Sequence, residues 1–335
     1  MRILVTGGAG FIGSRYVRAL LDGEYPGYED VEVTVLDRLT YAGRLDNLPA
    51  GHPRLTVVVG DVCDPTVVAR VVRGQDAVVH FAAESHVDRS LVGAGEFVRT
   101  NVLGTQNLLE CCLRAEVPRV VHVSTDEVYG SIDEGAWAED EPLLPNSPYA
   151  ASKAGADLIA RAYWRTHGLP VIITRCSNNY GPRQHVEKLI PRFVTNLLRG
   201  RQVPLYGDGG NVREWIHVDD HCRAVQLVLE RGLPGEIYNV GGGEALSNVE
   251  LTRRLLTLCG RDWSAVRYVP DRKGHDRRYA LDGTKLRNEL GFVPRVPFDT
   301  GLADVVDWYR RNVDWWAPLV AERDRVERDV PVGAR

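Results

Sequence analysis

Short apolar runs of four to six residues recur along the first half of this chain, and most are followed by a stretch with helical periodicity. The runs predict strands at residues 2–6, 31–36, 55–59, 77–81, 120–124 and 171–174. Helices are predicted at residues 11–21, 65–72, 97–114 and 148–166, the last with Ser147 as N-cap and Pro148 as its first residue. Continuous apolar strands that alternate with helices are typical of a parallel sheet covered on both faces. The pattern therefore predicts an α/β fold.

Composition and charge exclude several classes of protein. The chain has 335 residues with a net charge of −4, so no global positive field favours binding to nucleic acid. No apolar run approaches the roughly 18 residues that a membrane span needs, and we expect no membrane partner. The six cysteines form no Cys-x-x-Cys pair, which indicates reduced thiols in a cytoplasmic protein and no metal site.

A glycine-rich loop separates the first predicted strand from the first helix. Gly7, Gly10 and Gly13 have Gly-x-x-Gly-x-x-Gly spacing. Glycines at this position let the backbone turn tightly and approach a pyrophosphate, whose charge then lies at a helix N-terminus. In this strand–turn–helix context the loop predicts a dinucleotide site in a Rossmann-like, doubly wound parallel sheet.

Asp37 ends the second predicted strand, where a carboxylate binds the hydroxyls of a ribose. The same charge repels a ribose 2′-phosphate, which favours NAD over NADP, although the neighbouring Arg38 would weaken that preference. Residues after two further strands, Asp61-Val62 and Ala82-Ala83-Glu84, are predicted to line the same pocket, because ligands bind open α/β sheets at the ends of their strands.

The regular alternation of elements ends after Cys176, where loops rich in Asn, Gly, Pro and Arg are interspersed with helices such as 190–198 and 249–258. We therefore predict an NAD-binding Rossmann domain at residues 1–175, with a returning segment near 212–240. Residues 176–320 are predicted to form a smaller, mostly substrate-binding C-terminal region for a sugar nucleotide. The charged segment 321–335 is expected to fray.

The candidate chemistry lies at the end of the fifth predicted strand. Thr125, Asp126 and Glu127 follow that strand, and Tyr149 and Lys153 open the next helix at Tyr-x-x-x-Lys spacing. The ammonium, one helical turn away, is expected to lower the pKa of the phenol so that it accepts a proton from a sugar hydroxyl. Adjacent carboxyls can separate into an acid and a base, because burial and a like charge raise carboxyl pKa values. Together these groups indicate elimination in addition to hydride transfer.

The glycine loop and the Tyr-x-x-x-Lys pair resemble the extended short-chain dehydrogenase/reductase family, many of whose members modify nucleotide sugars. Within it, residues 124–130 (Ser-Thr-Asp-Glu-Val-Tyr-Gly) resemble the dTDP-glucose 4,6-dehydratases. Further similar stretches lie at residues 82–90, 99–102, 149–153, 178–182, 187–191, 213–221 and 274–280. The resemblance covers roughly residues 1–317.

The resemblance implies dehydration of dTDP-glucose to a 4-keto-6-deoxy sugar nucleotide, a step of deoxysugar biosynthesis, with NAD held through turnover. It assigns Tyr149, assisted by Lys153, as the base at the C4 hydroxyl, which Thr125 positions. Glu127 becomes the base at C5, and Asp126 the acid that protonates the departing C6 hydroxyl.

The resemblance also implies two sets of binding residues. The expected cofactor residues are Gly7, Gly10, Phe11, Ile12, Gly13, Asp37, Arg38, Leu39, Thr40, Asp61, Val62, Ala82, Ala83, Glu84, Thr100, Tyr149, Lys153 and Asn179. The expected substrate residues are Ser85, Thr125, Asn178, Glu187, Lys188, Leu189, Pro204, Leu205, Tyr206, Arg213, Asn248, Arg272 and His275. Among them, the cations of Lys188 and Arg213 can neutralise a diphosphate, and Pro204 to Tyr206 offer an apolar wall for a base.

Several alternatives remain open at this point. A UDP-sugar C4 epimerase would leave the acidic pair unused, and a UDP-glucuronate decarboxylase would need a cation for the sugar carboxylate. A UDP-glucose 4,6-dehydratase differs by one methyl contact to the base. A catalytically silent dinucleotide sensor predicts loss of Tyr149, Lys153 or the acidic pair. The resemblance further implies a homodimer, with the helices at 97–114 and 147–166 forming a four-helix interface.

Overall fold

The computed structural model describes residues 1–329 and the side chains of residues 1–326. The strands of this part are β1 Arg2–Thr6, β2 Glu32–Asp37, β3 Leu55–Val59, β4 Ala77–His80, β5 Val120–Thr125, β6 Val171–Cys176, β7 Asn178–Tyr180, β8 Val203–Tyr206, β9 Val212–His217, β10 Ile237–Val240, β11 Glu244–Ser247 and β12 Val266–Val269.

The helices of the same part are α1 Phe11–Leu21, α2 Pro65–Val72, α3 Val87–Val92, α4 Ala94–Phe97, α5 Gly104–Arg114, α6 Pro148–His167, α7 Leu189–Leu198, α8 Val218–Arg231, α9 Asn248–Leu258, α10 Thr284–Leu290, α11 Phe298–Arg311 and α12 Val313–Asp329. A π-helical segment, Val98–Leu103, joins α4 to α5, so the predicted helix at 97–114 is continuous in direction but widened near its start.

Seven strands form a parallel sheet in the order β10-β6-β5-β4-β1-β2-β3. Residues of β1 alternate between two cores: Ile3 and Val5 pack on the side of α1 and α8, and Leu4 packs on the side of α2 and α5. All six residues of β5 and all six of β6 are buried, as expected for strands covered on both faces. The predicted α/β, doubly wound parallel fold is confirmed.

The second half of the chain builds smaller sheets and a separate core. Strands β11, β9 and β7 form a three-stranded sheet, and β12 pairs with β8. The core between α7, α9, α11 and α12 contains Phe193, Leu255, Leu302 and Trp316. Within residues 212–240, α8 and β10 pack into the seven-stranded layer, whereas β9 belongs to the three-stranded sheet. The division into domains at 1–175 and 176–320 stays a prediction.

The charged segment expected to fray from residue 321 begins as an ordered part of α12. Arg323 donates to the carbonyl oxygen of Val186 at 3.1 Å and to the side chain of Asn196 at 3.0 Å. Asp324 pairs with Arg199 and Arg201 at 3.1 and 2.5 Å. These contacts connect Arg323 and Asp324 to the neighbouring α7 region. The fraying of 321–335 stays a prediction, and residues 330–335 lie outside the described part.

Candidate active site

A crevice opens where the strand order reverses, between β1 and β4 at the carboxyl edge of the sheet. Ligands of open α/β sheets bind at such a switch point. The cavity there has a volume of about 300 Å³. Its wall includes every predicted cofactor residue except Leu39, together with Thr125, Asp126 and Glu127 and the predicted substrate residues Ser85, Asn178, Glu187 and Lys188.

The glycine loop between β1 and α1 leaves its backbone bare toward this cavity. Gly7 has a φ of +69°, and a Cβ there would lie 2.6 Å from the backbone nitrogen of Ala82. A Cβ on Gly13 would lie 2.3 Å from the carbonyl oxygen of Gly7. Side chains are therefore excluded at both positions, and the N-terminus of α1 is open to an anion. The loop fits the pyrophosphate of a dinucleotide.

Asp37 is fixed at the end of β2 by two backbone donors. Its carboxylate accepts hydrogen bonds from the N–H of Ala9 at 2.9 Å and of Leu39 at 2.8 Å. Burial raises the pKa of Asp37, and these two donors act in the opposite direction. The carboxylate keeps lone pairs for the hydroxyls of a ribose.

Arg38, the residue that would weaken a preference for NAD, lies on an acidic surface. Its guanidinium is 3.6 Å from both Asp61 and Glu96, and Asp61 also accepts a hydrogen bond from Arg99 at 2.8 Å. These two carboxylates partly neutralise Arg38 and so weaken its attraction for a 2′-phosphate, while Asp37 repels that group. The local charge therefore favours the unphosphorylated dinucleotide.

Several buried polar atoms of the cavity wall have no hydrogen-bond partner within residues 1–326. They include the hydroxyl oxygens of Thr100 and Ser177 and the side-chain oxygen of Asn178. Buried polar atoms are almost always satisfied in folded proteins, so these groups point to a bound ligand with complementary polar atoms. Together with the bare glycine loop, they fit NAD.

Thr125 ends β5 and caps a 3₁₀ turn that begins with Asp126 and Glu127. The Thr125 side chain accepts the N–H of Glu127 at 3.4 Å and donates to Asp126 at 3.1 Å. Burial raises the pKa of Asp126 well above its ordinary value, and the charges of Glu127 and Glu214 raise it further. The second carboxyl oxygen of Asp126 has no hydrogen-bond partner among the described side chains. This carboxyl is therefore set up to hold a proton and donate it.

Glu127 has the opposite electrostatic surroundings. Burial raises its pKa, but the positive charges of Arg272, Arg213 and Lys188 all lower it. The main charged neighbours of Asp126 are carboxylates, whereas those of Glu127 are cations. The environment separates the two carboxyls into a better acid and a better base.

Tyr149 and Lys153 project from the first turns of α6, whose N-terminus is capped by the Ser147 hydroxyl accepting the N–H of Ala150 at 3.1 Å. Lys153 donates to the carbonyl oxygen of Val123 at 2.8 Å. Burial raises the pKa of Tyr149 well above its ordinary value, and the charge of Glu127 adds to this. The prediction that the ammonium lowers the phenol's pKa is therefore wrong for the protein alone, because desolvation outweighs it.

The predicted diphosphate ligands lie on the side of the cavity toward the C-terminal half. Lys188 donates to the carbonyl oxygen of Ser85 at 2.6 Å. Arg213 is held by the carbonyl oxygen of Asp276 at 2.9 Å and lies over the ring of Tyr279, 4.3 Å from its centroid. Arg272 approaches Asp88 at 3.4 Å. The positive charges of Lys188, Arg213 and Arg272 all lower the pKa of Glu127. A region of positive charge therefore borders the acidic pair on this side.

The residues predicted to bind the heterocyclic base of the sugar nucleotide lie beyond the cavity wall, around β8. Pro204 and Tyr206 share one face of that strand, and the ring of Tyr206 meets His275 edge-on at 6.3 Å. Leu205 faces the other way and is 1% exposed, so its side chain cannot form part of the same wall. Leu189, Arg213, Asn248 and Arg272 also lie outside the cavity lining, and Asn248 is buried at the start of α9.

The cavity wall also contains residues that the sequence patterns did not select. Tyr41, Cys176, Ser177, Gln184 and His185 line it, and Tyr41 meets His185 edge-on at 5.4 Å. Cys176 and Ser177 follow from the position of β6, whose carboxyl end reaches the same edge as β5. Tyr41, Gln184 and His185 come from irregular loops without such a signal.

Comparisons with known proteins agree with this geometry. The family described as GDP-mannose 4,6 dehydratase matches residues 4–305. The dTDP-glucose 4,6-dehydratase of Streptomyces griseus is 61% identical over 320 residues, which cover 95% of this chain and 97% of that protein. The crystal structure of the dTDP-glucose 4,6-dehydratase DesIV of Streptomyces venezuelae, with NAD and a second ligand bound, is 65% identical with a TM-score of 0.94 and covers 95% of this chain and 100% of that one.

Epimerases share the architecture at lower identity. The UDP-glucose 4-epimerase of Thermus thermophilus, solved in complex with NAD, is 36% identical with a TM-score of 0.85 and covers 92% of this chain and 99% of that one. Sequence identity is thus much higher to the dehydratases than to this epimerase. The chain belongs to the GDP-mannose 4,6-dehydratase family and, within it, to the dTDP-glucose 4,6-dehydratases.

Proposed function

We propose that this protein converts dTDP-glucose to dTDP-4-keto-6-deoxyglucose, using tightly bound NAD with no net redox change, as a step of deoxysugar biosynthesis. The observation that carries the proposal is the acidic pair, Asp126 and Glu127, placed beside Tyr149 and Lys153 at the edge of a dinucleotide crevice. The relatives that share most of this chain are named for the same reaction.

The first stage is oxidation at C4 of the sugar. Bound NAD would supply the hydride acceptor for C4 and the source of the hydride returned to C6. Tyr149 takes the proton of the C4 hydroxyl, which the Thr125 hydroxyl positions. Lys153, held on the carbonyl oxygen of Val123, supplies a positive charge one helical turn from the phenol. Burial raises the pKa of Tyr149, and the positive charge of Lys153 acts in the opposite direction, favouring loss of the phenol proton.

The second stage is elimination of water across C5 and C6. The new 4-ketone acidifies the C5 hydrogen, and Glu127 removes it as a proton. Asp126 gives its proton to the departing C6 hydroxyl, so that the C6–O bond breaks and water leaves. A carboxyl whose pKa is raised keeps its proton at higher pH, which suits Asp126 to this task near neutrality. Glu127 finally returns the proton to C5.

The acidic pair also separates this proposal from its alternatives. A UDP-sugar C4 epimerase needs oxidation, rotation and reduction at C4, so it has no use for two adjacent carboxyls in different electrostatic surroundings. A UDP-glucuronate decarboxylase or a UDP-glucose 4,6-dehydratase differs in the substrate it accepts. A catalytically silent sensor has no need of Tyr149, Lys153 and the pair together.

The function is tested by incubating the purified protein with dTDP-glucose and following the alkaline absorbance of a 4-keto-6-deoxy product. We expect turnover of dTDP-glucose, with UDP-glucose slower by about 10- to 200-fold, because one methyl contact separates the two bases. UDP-glucuronate serves as the third substrate. No product from dTDP-glucose, with turnover of UDP-glucose or UDP-glucuronate, would contradict the assignment.

We also propose that the protein acts in the cytoplasm. All six cysteines are free thiols, and four of them are buried. Proteins of oxidising compartments commonly use cysteines in disulfides, whereas cytoplasmic proteins keep them reduced. Within residues 1–329 no helix is both long and apolar enough to cross a membrane.

The proposed quaternary structure is a homodimer with a four-helix interface formed by α5 and α6 of each protomer. Large apolar side chains are exposed on α6 and on the segments that precede α5: Leu158 on α6, Val92 on α3, and Val98 and Leu103 in the π-helical segment. Leu158 is 56% exposed in the single chain. Apolar side chains exposed on neighbouring elements mark a surface that a second copy would cover.

Leu158→Glu is therefore expected to shift the protein from dimer to monomer, because it places a charge in the apolar centre of the proposed interface. Sedimentation or light scattering at micromolar concentration measures the change. Leu233→Glu is the matched control, since Leu233 is 59% exposed and lies outside these helices. A dimer that survives Leu158→Glu, or one that both substitutions disrupt equally, would contradict this interface.

A further inference from the structure

A buried cluster of charged and titratable side chains lies behind the reacting edge of the sheet, near Lys153, and the proposed mechanism uses none of its members. The cluster consists of Asp157 on α6, His122 on β5 and Arg175 on β6. Asp157 is 1% exposed, His122 is fully buried and Arg175 is 3% exposed. Such groups are costly to bury, so their arrangement beside the active site calls for a role.

Asp157 is the centre of this cluster. One of its carboxylate oxygens accepts a hydrogen bond from Arg175 Nε at 2.9 Å, and the other lies 3.3 Å from His122 Nε2. Arg175 also donates to the hydroxyl of Tyr129 at 2.7 Å. Although burial raises the pKa of Asp157, His122 and Arg175 leave it below the ordinary value. Asp157 is therefore a carboxylate at neutral pH.

Asp157 also follows Lys153 by four residues on α6, so the two side chains share one face of the helix. Burial lowers the pKa of Lys153, and the negative charge of Asp157 is the largest influence that raises it. Lys153 needs this opposing influence on its pKa, because the residue is only 4% exposed and its ammonium donates to a neutral carbonyl group.

The other titratable groups that face Lys153 supply no comparable charge. On β4, burial lowers the pKa of His80 well below its ordinary value, which keeps the imidazole neutral. On β5, burial lowers the pKa of His122. On β6, burial raises the pKa of Cys176 to about 12, which keeps the thiol protonated. On α6 itself, Tyr149 is also neutral before reaction.

We propose that Asp157 is a positioning residue that keeps Lys153 protonated, so that the ammonium can stabilise Tyr149 when the phenol loses its proton. Arg175 holds the carboxylate by a hydrogen bond and neutralises part of its charge, and His122 lies 3.3 Å from it. The inference rests on the proposed function, because it concerns the oxidation stage of that reaction.

Asp157→Asn tests the inference because it removes the charge and keeps the shape. The readout is the rate at which bound NAD is reduced when dTDP-glucose is added, followed by NADH absorbance as a function of pH. This stage precedes elimination, so Asp126 takes no part in it. We expect the alkaline limit of the rate to move down by about one pH unit, because Lys153 loses its proton sooner without the nearby carboxylate. Asp157→Glu keeps a carboxylate at this position, so its alkaline limit should lie close to that of the wild type.

Two further variants separate this effect from structural damage. Arg175→Gln removes the cation and leaves Asp157 charged, so the alkaline limit should move up. Tyr129→Phe removes a buried hydrogen bond to Arg175 without changing charge, so it should lower stability and leave the limit in place.

The inference would be overturned if the alkaline limit of the rate of NAD reduction were the same in Asp157→Asn as in the wild type. It would also be overturned if Asp157→Asn and Tyr129→Phe shifted that limit equally. If Asp157→Asn does not fold, the test is Arg175→Gln: an alkaline limit that does not move up in this variant overturns the inference. A wild-type protein that binds NAD and never reduces it with dTDP-glucose would instead contradict the proposed function.

Discussion

Tyr149→Phe is expected to lower the rate of product formation from dTDP-glucose by about 10²- to 10⁴-fold, the usual contribution of a positioned acid–base group. The phenol is the group that takes the C4 proton, so both NADH formation in a single turnover and steady-state turnover should fall together. The ring remains to pack against Phe97, 6.3 Å away and edge-on. Bound NAD and the melting temperature should therefore stay close to those of the wild type.

The pH dependence gives this prediction a second test. Because burial raises the pKa of Tyr149, the phenol is protonated at neutral pH in the protein alone, and the rate of NADH formation should rise with pH. A base whose folded-state pKa is raised becomes competent only as the pH approaches that value. In Tyr149→Phe this rise should disappear, because the titrating hydroxyl is absent.

Tyr163→Phe is the matched control for the loss of a hydroxyl on the same helix. Tyr163 donates to Glu110 at 3.0 Å and accepts from Gln106 at 2.9 Å, on the side of α6 that faces α5. We expect wild-type turnover in this variant, with a loss of stability of about 1 kcal/mol. Equal losses of activity in the two variants would remove Tyr149 from the role of base.

The sheet could be predicted from the sequence because its strands are buried on both faces and so appear as continuous apolar runs. The predicted helix at 97–114 shows the limit of that reasoning, since the structure widens it at Val98–Leu103. Asn101 in that segment accepts the N–H of Glu84 at 2.8 Å and donates to Ser152 at 2.8 Å. These contacts join parts of the chain that are distant in sequence, so they cannot be predicted from helical periodicity.

The site was predictable where residues follow parallel strands, because the carboxyl ends of those strands meet at one edge. Asp37, Ala82 and Thr125 lie in the cavity wall for this reason. Tyr41 and His185 reach it on irregular loops and were missed. The error on the pKa of Tyr149 has a different origin: spacing shows that Lys153 is near, whereas desolvation depends on everything that packs around the phenol.

Glu127→Gln is expected to stop the reaction after oxidation at C4. The amide keeps the shape of the carboxylate and cannot take the C5 proton, so elimination should slow by about 10²- to 10⁴-fold. Oxidation by Tyr149 precedes this step, and NADH should therefore accumulate and persist on addition of dTDP-glucose. Exchange of the C5 hydrogen with solvent deuterium, measured by mass spectrometry of the recovered sugar nucleotide, should be lost.

Asp126→Asn makes this prediction sharper because it removes the neighbouring carboxyl from the same turn. Without the acid for the C6 hydroxyl, water cannot leave readily, but Glu127 can still remove and return the C5 proton. We expect NADH to persist in both variants, with C5 exchange retained in Asp126→Asn and lost in Glu127→Gln. Unchanged exchange in Glu127→Gln would take the role of C5 base from Glu127. The reversed pattern would exchange the two roles, against the cations that surround Glu127 and the carboxylates that surround Asp126.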